Sequence, residues 1–406
     1  MLKRKFQIAV AIERTSEYGR RFLQGVADYF DDKADFQLAL LNPAQVTGRT
    51  TDIYDGWICR ITNRRTLRLL HDTGKPVVDA ICLTPFQGFS TIRTDHIAIG
   101  AMAAEHFLAH RFSSFGFCGY RHVTFSDLRR NAFVRHLADK GFRPNIYRPS
   151  YRADTAQPSQ LLHRNLTEGP LGEADDADSL TTWLKRLPKP VAVFCADDFR
   201  ASDVVRLCKR LRLDVPGDVA VLGVDNDPVY CMFSSPRISS IDPDATALGM
   251  AAAEMLKQQL LPQKSHRPLS RTIPPKGLVV RASTNSYPDA PNWFADAISY
   301  IESEIPAGLS ASDVFRRVDY SRTLVERVFR KVLGKTVQEQ ITDARIETAK
   351  RFLLTTTLPV KDIAAQTGYR SIEYFTRAFR AAVGLPPAAF RHDRTARLKG
   401  ISTQLH

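Results

Sequence analysis

The 406-residue sequence predicts an α/β protein with two doubly wound lobes of parallel sheet, followed by an all-helical domain. Two observations predict the lobes: apolar runs of about five to seven residues recur up to residue 285, and helical periodicity fills the gaps between them. The third observation is that every periodic stretch beyond Thr284–Pro291 is helical. The length suits two to three domains of roughly 150 residues each.

The apolar runs are predicted to be strands that are buried on both faces. They are Phe6–Ile12, Phe36–Leu41, Gly56–Ile61, Pro76–Ile81, Phe115–Gly119, Val191–Ala196 and Val219–Val224. The predicted helices are Tyr18–Phe30, Ile97–Ala109, Arg129–Lys140, Ser179–Leu187, Ala201–Leu211 and Ala245–Leu260. Alternating strands and helices imply parallel sheets with right-handed crossovers, and so many strands suit two lobes better than one. Tyr151–Asp178 is polar and is predicted to be an irregular insertion.

The segment Thr284–Pro291 is typical of a linker because it combines two prolines with small polar residues and has no periodicity. We therefore predict a two-lobed domain at residues 1–285, a linker at 286–291 and a helical domain at 292–396. The helical domain opens with an amphipathic helix, Asn292–Ile305.

Positive charge is concentrated towards the end of the chain. The net charge is +14, and 18 basic residues against 9 acidic ones fall between Pro306 and His406. This excess favours a nucleic-acid partner, although the charge alone fits an ordinary solvated surface equally well.

The composition argues against membrane and secreted classes. No stretch approaches the ~18 consecutive apolar residues that span a bilayer, and the apolar run Phe6–Ile12 fits a first strand better than a signal peptide. The six cysteines are scattered without a CxxC pair, which predicts reduced, buried thiols rather than a disulfide framework or a metal site. We expect a cytoplasmic protein with no membrane partner, metal or cofactor.

An internal repeat with an offset of 50 residues lies in the helical domain. Five pairs are identical within a 14-residue window: Ser321 and Ser371, Arg327 and Arg377, Phe329 and Phe379, Arg330 and Arg380, and Gly334 and Gly384. A repeat present only twice indicates a duplicated supersecondary unit.

Each copy has the pattern of a helix, a tight turn and a second helix. Ser310 and Asp313 form a capping box in the first copy, Asp319 and Tyr320 make its turn, and Ser321 caps its second helix. In the second copy Gly368 allows the turn, and the second helix packs through Ile372, Phe375 and Phe379. This is helix-turn-helix architecture, in which the second helix enters the DNA major groove.

The exposed positions of the two second helices are rich in groups that can bind base edges or phosphates. They are Arg322, Thr323, Glu326 and Arg327 in the first copy, and Arg370, Ser371, Glu373, Tyr374 and Arg377 in the second. Between the copies, Val337–Leu354 is predicted to be one helix of about 18 residues, or ~27 Å, which could hold both recognition helices along one face of a duplex. The alternative is a plain helical bundle with a basic surface.

The segment Leu353–Arg391 resembles the second half of the AraC-type DNA-binding domain. Its Gly-Tyr, Tyr-Phe, Phe-Arg and Gly-x-Pro-Pro elements stand where that family has them. The resemblance implies a bacterial transcription regulator that binds double-stranded operator DNA through two helix-turn-helix units. RNA polymerase is a further partner consistent with that role.

The first 285 residues resemble the LacI-type, periplasmic-binding-protein-like sugar sensor. The signals follow in order: TD at 94–95, HFL at 106–108, ADD at 196–198, VPGDV at 215–219 and GVDN at 223–226. A LacI-like sensor joined to an AraC-type domain is the arrangement of the XylR-type family of xylose operon regulators. The resemblance implies a xylose-like sugar effector and, through paired sensors, a homodimer.

Candidate ligand contacts follow from the rule that doubly wound sheets bind ligands at the carboxyl ends of their strands. Carboxylates accept hydrogen bonds from sugar hydroxyls, arginine donates them, and an aromatic ring can pack on a C–H face. The candidates are Glu13, Tyr18, Arg20, Asp95, Arg129, Asp197 and Asp225. Asp95, Arg129, Asp197 and Asp225 match cleft positions of the LacI-type family, and Tyr18 and Arg20 fit the XylR type. For each carboxylate, the alternative is a helix cap or a solvated loop position.

Glu13 and Arg60 depart from the smaller or neutral groups that a pentose sensor would suit. Two other functions were weighed. An enzyme is disfavoured because no phosphate-binding Gly-rich loop, GxSxG turn or HExxH helix is present, and Asp197 and Asp198 on one strand would point to opposite faces. A transport-type binding protein is disfavoured by the DNA-binding tail and the absence of a signal peptide.

Overall fold

A computed structural model of the protein describes residues 5–61, 63–80, 88–121, 123–147, 173–261, 268–287, 290–305, 308–356 and 358–391. Its strands are β1 (Phe6–Ala11), β2 (Phe36–Leu41), β3 (Gly56–Cys59), β4 (Val77–Asp79), β5 (Ser90–Thr94), β6 (Phe115–Cys118), β7 (Asn145–Ile146), β8 (Val191–Cys195), β9 (Val219–Val224), β10 (Ser239–Asp242), β11 (Ser270–Ile273) and β12 (Gly277–Val279). Its α-helices are α1 (Glu17–Phe30), α2 (Gly48–Thr51), α3 (Arg64–Asp72), α4 (His96–Ala109), α5 (Thr124–Ala138), α6 (Glu173–Arg186), α7 (Asp198–Leu211), α8 (Pro228–Phe233), α9 (Ala245–Leu260), α10 (Asn292–Glu304), α11 (Ala311–Val318), α12 (Arg322–Leu333), α13 (Val337–Thr355), α14 (Val360–Gln366) and α15 (Ile372–Val383).

The first lobe is built on a six-stranded sheet in the order β11-β5-β4-β3-β1-β2, with every pair parallel. β1 lies inside this sheet, so Ala9 is opposite both Ala39 and Trp57. Alternate residues of β1 fill opposite faces: Ile8 and Val10 belong to one buried cluster and Ala9 to another. A strand covered by helices on both faces is therefore apolar at every position, as the sequence predicted.

The second lobe repeats this plan in the order β12-β10-β9-β8-β6-β7. Its pairs are parallel, except that β12 runs antiparallel to β10. Val193 packs on one face of β8 and Phe194 on the other, and both are fully buried. The predicted fold class, two parallel-sheet lobes followed by a helical domain, is confirmed.

The described chain passes between the two lobes at three places. β5 belongs to the first sheet, but the following helix α4 packs on α5 in the second lobe. β10 belongs to the second sheet, but α9 returns to pack on α1 in the first lobe. β11 then joins the first sheet and β12 the second. The two sheets consequently present the carboxyl ends of their strands to a shared opening.

Two glycines allow helices α1 and α9 to pack closely. A Cβ atom at Gly25 would lie 2.0 Å from the carbonyl oxygen of Thr246, and one at Gly249 would lie 2.0 Å from the carbonyl oxygen of Phe22. Neither position can hold a larger residue unless the helices separate.

The boundary between the two compact units of the chain falls between Thr284 and Asn285. The second unit has two apolar cores, one for each helix-turn-helix. Helix α13 serves both: Val337 and Ile341 enter the first core, and Ile346 and Leu353 enter the second. The predicted 18-residue connecting helix is thus present and has 19 residues.

The structure corrects the sequence interpretation in four places. Residues 173–178 begin helix α6 and are not part of an irregular insertion, and residues 151–172 of that segment lie outside the described residues. Ile372 is 37% exposed and does not pack in the core of its unit. Helix α5 begins at Thr124, so Arg129 lies within it and does not open it. Asp197 and Asp198 follow β8 at the start of α7 and are not strand residues.

The cysteines behave as predicted where they are described. Cys59, Cys118, Cys195, Cys208 and Cys231 are buried free thiols, and Cys82 lies outside the described residues. None of the helices in the described parts of the chain combines the length and the hydropathy needed to cross a membrane.

Candidate functional site

A cleft opens between the two lobes of the first unit. The first lobe contributes Thr15, Ser16, Glu17 and Tyr18 to its lining. The second lobe contributes Tyr120, Val123, Phe125, Asp197, Asp198, Phe199, Asp225, Asp227 and Tyr230. Carboxylates, hydroxyls and aromatic rings therefore face one another across the cleft.

Asp225 and Arg129 form the charged centre of the second-lobe wall. Asp225 directly follows β9 with φ at +106°, and its Oδ1 lies 3.6 Å from Nη2 of Arg129. Arg129 is buried and also donates through Nη1 to the carbonyl oxygen of Ala196. Burial raises the pKa of Asp225 to about 7, although the Arg129 guanidinium acts to lower it. A hydrogen-bonding ligand would meet the carboxyl group of Asp225 here, and the buried Arg129 holds that group in place.

His96 orients the other edge of the same guanidinium. Nε of Arg129 lies 3.3 Å from Nδ1 of His96. Burial, together with the Arg129 charge, lowers the pKa of His96 to about 3, so its ring is neutral and can accept this hydrogen bond. Arg129 is thereby held on two sides.

Asp197 both caps a helix and lines the cleft. Its Oδ1 accepts from the backbone N–H of Arg200 at 2.8 Å and from the hydroxyl of Tyr120 at 3.1 Å. Burial raises the pKa of Asp197, and these hydrogen bonds oppose that shift. The two interpretations weighed for this carboxylate are therefore compatible.

Two hydrogen bonds from other parts of the second lobe hold the loop that carries Asp225. Asp198 Oδ2 accepts from the backbone N–H of Asp227 at 2.8 Å, and Arg281 Nη2 donates to Oδ1 of Asn226 at 2.7 Å. A Cβ atom at Gly223 would lie 2.1 Å from Oδ1 of Asp198, which explains the glycine at this position. The conformation of the loop is thus set by hydrogen bonds to Asp198 and Arg281, which lie outside the loop.

Tyr18 is the aromatic contribution of the first lobe. Its hydroxyl lies 3.2 Å from Oγ1 of Thr94, and the guanidinium carbon of Arg60 lies 5.9 Å from its ring centroid. Burial raises the pKa of Tyr18, so it remains a neutral phenol. Arg60 in turn forms an ion pair with Glu13, which leaves Oε2 of Glu13 buried and without a hydrogen bond to any described residue.

Four predicted site residues are not part of the cleft lining: Glu13, Arg20, Asp95 and Arg129. Arg129 reaches the lining only through Asp225, and Glu13 pairs with Arg60. Arg20 is exposed, pairs with Glu17 at 2.9 Å and donates to the carbonyl oxygen of Thr15 at 3.0 Å. Asp95 caps α4 by accepting from the backbone N–H of Ala98 at 2.9 Å. The helix-cap alternative describes Asp95 well.

Other cleft residues were missed by the sequence interpretation. Tyr120 closely follows the end of β6, and Asp227 lies two residues beyond Asp225. The strand-end rule used for Asp225 could have found both. Phe125 and Tyr230 lie on helices and carried no comparable signal.

The recognition helices α12 and α15 begin with the predicted serine caps. Ser321 accepts from the backbone N–H of Leu324 at 3.4 Å, and Ser371 from that of Tyr374 at 3.2 Å. The exposed candidates on or beside them are Arg322, Thr323, Arg327, Arg370, Ser371, Glu373, Tyr374 and Arg377.

Glu326 differs from the other candidates on the recognition helices. It is half-buried and accepts from the backbone N–H of Val337 at 3.4 Å, so its carboxylate is engaged by the start of α13. On α15, Ile372, Glu373, Thr376, Arg377 and Arg380 form a continuous outward surface. Arg377 lies 5.4 Å from the ring centroid of Tyr374. A basic and aromatic face of this kind can contact phosphates and base edges.

Comparison with known proteins gives matches to both units. A periplasmic binding protein-like domain matches residues 104–284, and a helix-turn-helix domain matches residues 314–393. The xylose operon regulatory protein of Escherichia coli (strain K12) is 25% identical over 399 residues, which cover 96% of this chain and 98% of that protein. The HTH-type transcriptional activator AarP of Providencia stuartii is 33% identical over 101 residues, or 25% of this chain and 75% of that protein.

A solved structure described as that of the xylose-binding transcription activator xylR has a TM-score of 0.59 and 23% identity. The match covers 97% of this chain and 99% of that one, and it supports the fold in both units. The chain belongs to the family of HTH-type transcription regulators, and over nearly its whole length it is similar to the xylose operon regulators.

Proposed function

We propose that xylose or a closely related monosaccharide binds in the cleft between the lobes and changes the affinity of the helical unit for operator DNA. The observation that carries the proposal is that Asp197 and Asp225 of the second lobe face Tyr18 of the first lobe across the cleft, with Arg129 buried beside Asp225. The xylose-related names of the full-length relatives favour the same effector.

The chemistry of the cleft fits a neutral polyol. Asp225 and Asp197 supply acceptors for hydroxyl groups, and the buried Arg129, which is held by Ala196 and His96, positions Asp225. The rings of Tyr18 and Phe125 can cover the C–H faces of a sugar. The Glu13–Arg60 ion pair lies beside Tyr18 in the first lobe.

On the DNA side, α12 and α15 would enter successive turns of the major groove. Arg322, Arg327, Arg370 and Arg377 are the donors that can reach guanine or phosphate. In this proposal two chains act on paired half-sites in the cytoplasm, with RNA polymerase as a further partner.

Calorimetry tests the cleft. A thermal-shift screen of pentoses and hexoses first identifies the sugar, because a ligand that binds only the native state raises the melting temperature. Asp225→Ala should then weaken binding of that sugar by more than about tenfold, since a hydrogen bond to a charged group contributes roughly 1.5–3 kcal/mol. Asp139→Ala, an exposed carboxylate of the same lobe, is the matched control. Normal sugar affinity in Asp225→Ala would overturn the cleft assignment.

Titration of DNA tests the recognition helices. The probe is a duplex selected from a random pool by the purified wild-type chain. Arg377→Ala should weaken binding to it by about 1–3 kcal/mol if Arg377 contacts a base edge. A scrambled duplex of the same composition should lose much less affinity. Equal losses on both duplexes would assign Arg377 to phosphate contact, and no loss would remove it from the interface.

A further inference from the structure

The two helix-turn-helix units touch each other through Arg345, which lies near the middle of α13. Its Nη2 donates to the carbonyl oxygen of Leu309 at 2.9 Å, just before α11, the first helix of the first helix-turn-helix. Its guanidinium carbon lies 5.4 Å from the ring centroid of Tyr369, in the turn of the second helix-turn-helix. One side chain therefore contacts both units at once.

The backbone is also tightly packed at this joint. Gly368 has φ at +76°, and a Cβ atom there would lie 3.1 Å from the carbonyl oxygen of Ile305 and 3.2 Å from Nε of Arg345. The turn of the second helix-turn-helix therefore packs directly against Ile305, at the end of α10, and against Arg345. There is little space for the units to shift towards each other.

The joint contains polar groups that stability alone does not require. Nε of Arg345 and the hydroxyl of Tyr369 are buried and make no hydrogen bond within the described residues. Burying a polar atom without a partner costs free energy, and an apolar side chain of similar length would avoid that cost. The planar guanidinium of Arg345 donates to the first helix-turn-helix and stacks on Tyr369 of the second, so it fixes the angle between the two. A flexible apolar side chain would not fix that angle.

We propose that Arg345 is a positioning residue that sets the orientation of the two recognition helices relative to each other. The proposal rests on the proposed insertion of both α12 and α15 into one duplex. α12 and α15 both pack on α13, and α13 fixes their separation along its axis. Arg345 adds the cross-contact that prevents each unit from rocking about that axis. When two linked helices bind one duplex, they give their full gain in affinity only if their spacing and angle match those of the two grooves that they enter.

The test measures how binding depends on the spacing of the DNA site. The probe is the duplex selected from a random pool by the wild-type full-length chain, with the two segments that it protects. One series inserts or deletes one to three base pairs between the segments, and two further probes have one segment scrambled. Because one base pair rotates the segments by about 34°, a rigid pair of helices should lose affinity by about tenfold or more with a single insertion.

Arg345→Met should lose about tenfold on the selected duplex, change by less than about twofold on each scrambled-segment probe, and show a flat spacing profile. Lys350→Met removes a like charge from the same helix and should keep the steep wild-type profile. Tyr369→Leu removes the stacking surface from the other side and should flatten the profile as well. Circular dichroism shows whether Arg345→Met folds. If it does not, the spacing profile of Tyr369→Leu tests the proposal instead.

If folded Arg345→Met keeps the steep spacing profile, the proposed role of Arg345 is overturned, while the two-helix proposal stands. If Arg345→Met does not fold, the same conclusion follows from a steep profile in folded Tyr369→Leu. Equal losses on the selected duplex and the scrambled-segment probes do the same, because they indicate damage to a unit and not to the angle between the units. A wild-type chain that protects only one segment contradicts the two-helix proposal itself, and this inference falls with it.

Discussion

The aspartates of the first unit show how neighbours decide the role of one residue type. Asp95 and Asp197 each cap a helix, but only Asp197 lines the cleft, where it also accepts from Tyr120. Asp225 caps no helix and is held beside the buried Arg129. The strand-end rule found Asp197 and Asp225 because it concerns position, whereas the final direction of each side chain depends on partners far along the chain.

The raised pKa of Asp225 predicts a pH-dependent stability. Above its ordinary pKa of 3.8 the unfolded chain has lost the proton, whereas the folded chain keeps it up to about pH 7. The free energy of unfolding should therefore fall as the pH rises from 5 to 7 and level off above 7, by at most about 1.4 kcal/mol for each pH unit. The side chain is 25% exposed, which reduces the effect. Asp225→Asn should remove this dependence, and wild-type and variant melting curves that stay parallel from pH 5 to 8 would contradict it.

At the level of elements, the crossing of α1 and α9 rests on two glycines that face each other's backbone. The sequence predicted both helices, and α9 with its observed bounds. It missed the short strands β5, β7, β10, β11 and β12. Ser90–Thr94 and Ser239–Asp242 are only five and four residues long and are rich in serine and threonine, so they lack the apolar run that identified the longer strands.

Gly25→Ala should destabilise the first lobe by about 1–3 kcal/mol, because the added methyl group overlaps the carbonyl oxygen of Thr246. Gly48→Ala is the matched control, since a Cβ atom at Gly48 meets nothing within 4 Å. Thermal unfolding followed by circular dichroism compares the two. Equal melting temperatures would show that the helices separate at no cost.

The chain as a whole consists of a ligand-cleft unit and a DNA-binding unit whose boundary lies at Thr284 and Asn285. Because each unit has its own buried clusters, the fragment 285–406 should fold alone. It should bind the selected duplex with a steep salt dependence, since its charge favours phosphate contacts. Affinity that stays flat between roughly 50 and 200 mM salt would argue against such contacts.

Linkage makes a second prediction for the full-length chain. If the sugar changes DNA affinity by some factor, the DNA must change sugar affinity by the same factor. Titrating the sugar with and without a saturating amount of the selected duplex measures this. The fragment 285–406 should show no response to the sugar, and a response there would place the effector site outside the cleft.

The order of strands and helices, the duplicated helix-turn-helix and its serine caps follow from local patterns, because they depend on residues a few positions apart. The cleft does not, because its contacts join distant residues: Arg129 reaches Ala196 across 67 positions, and Tyr120 reaches Asp197 across 77. For the same reason the joint at Arg345 could not be foreseen, since Arg345 reaches Leu309 across 36 positions. Arg20 instead binds the nearby Glu17 and Thr15. Such contacts exist only once the packing of the elements has brought the side chains together.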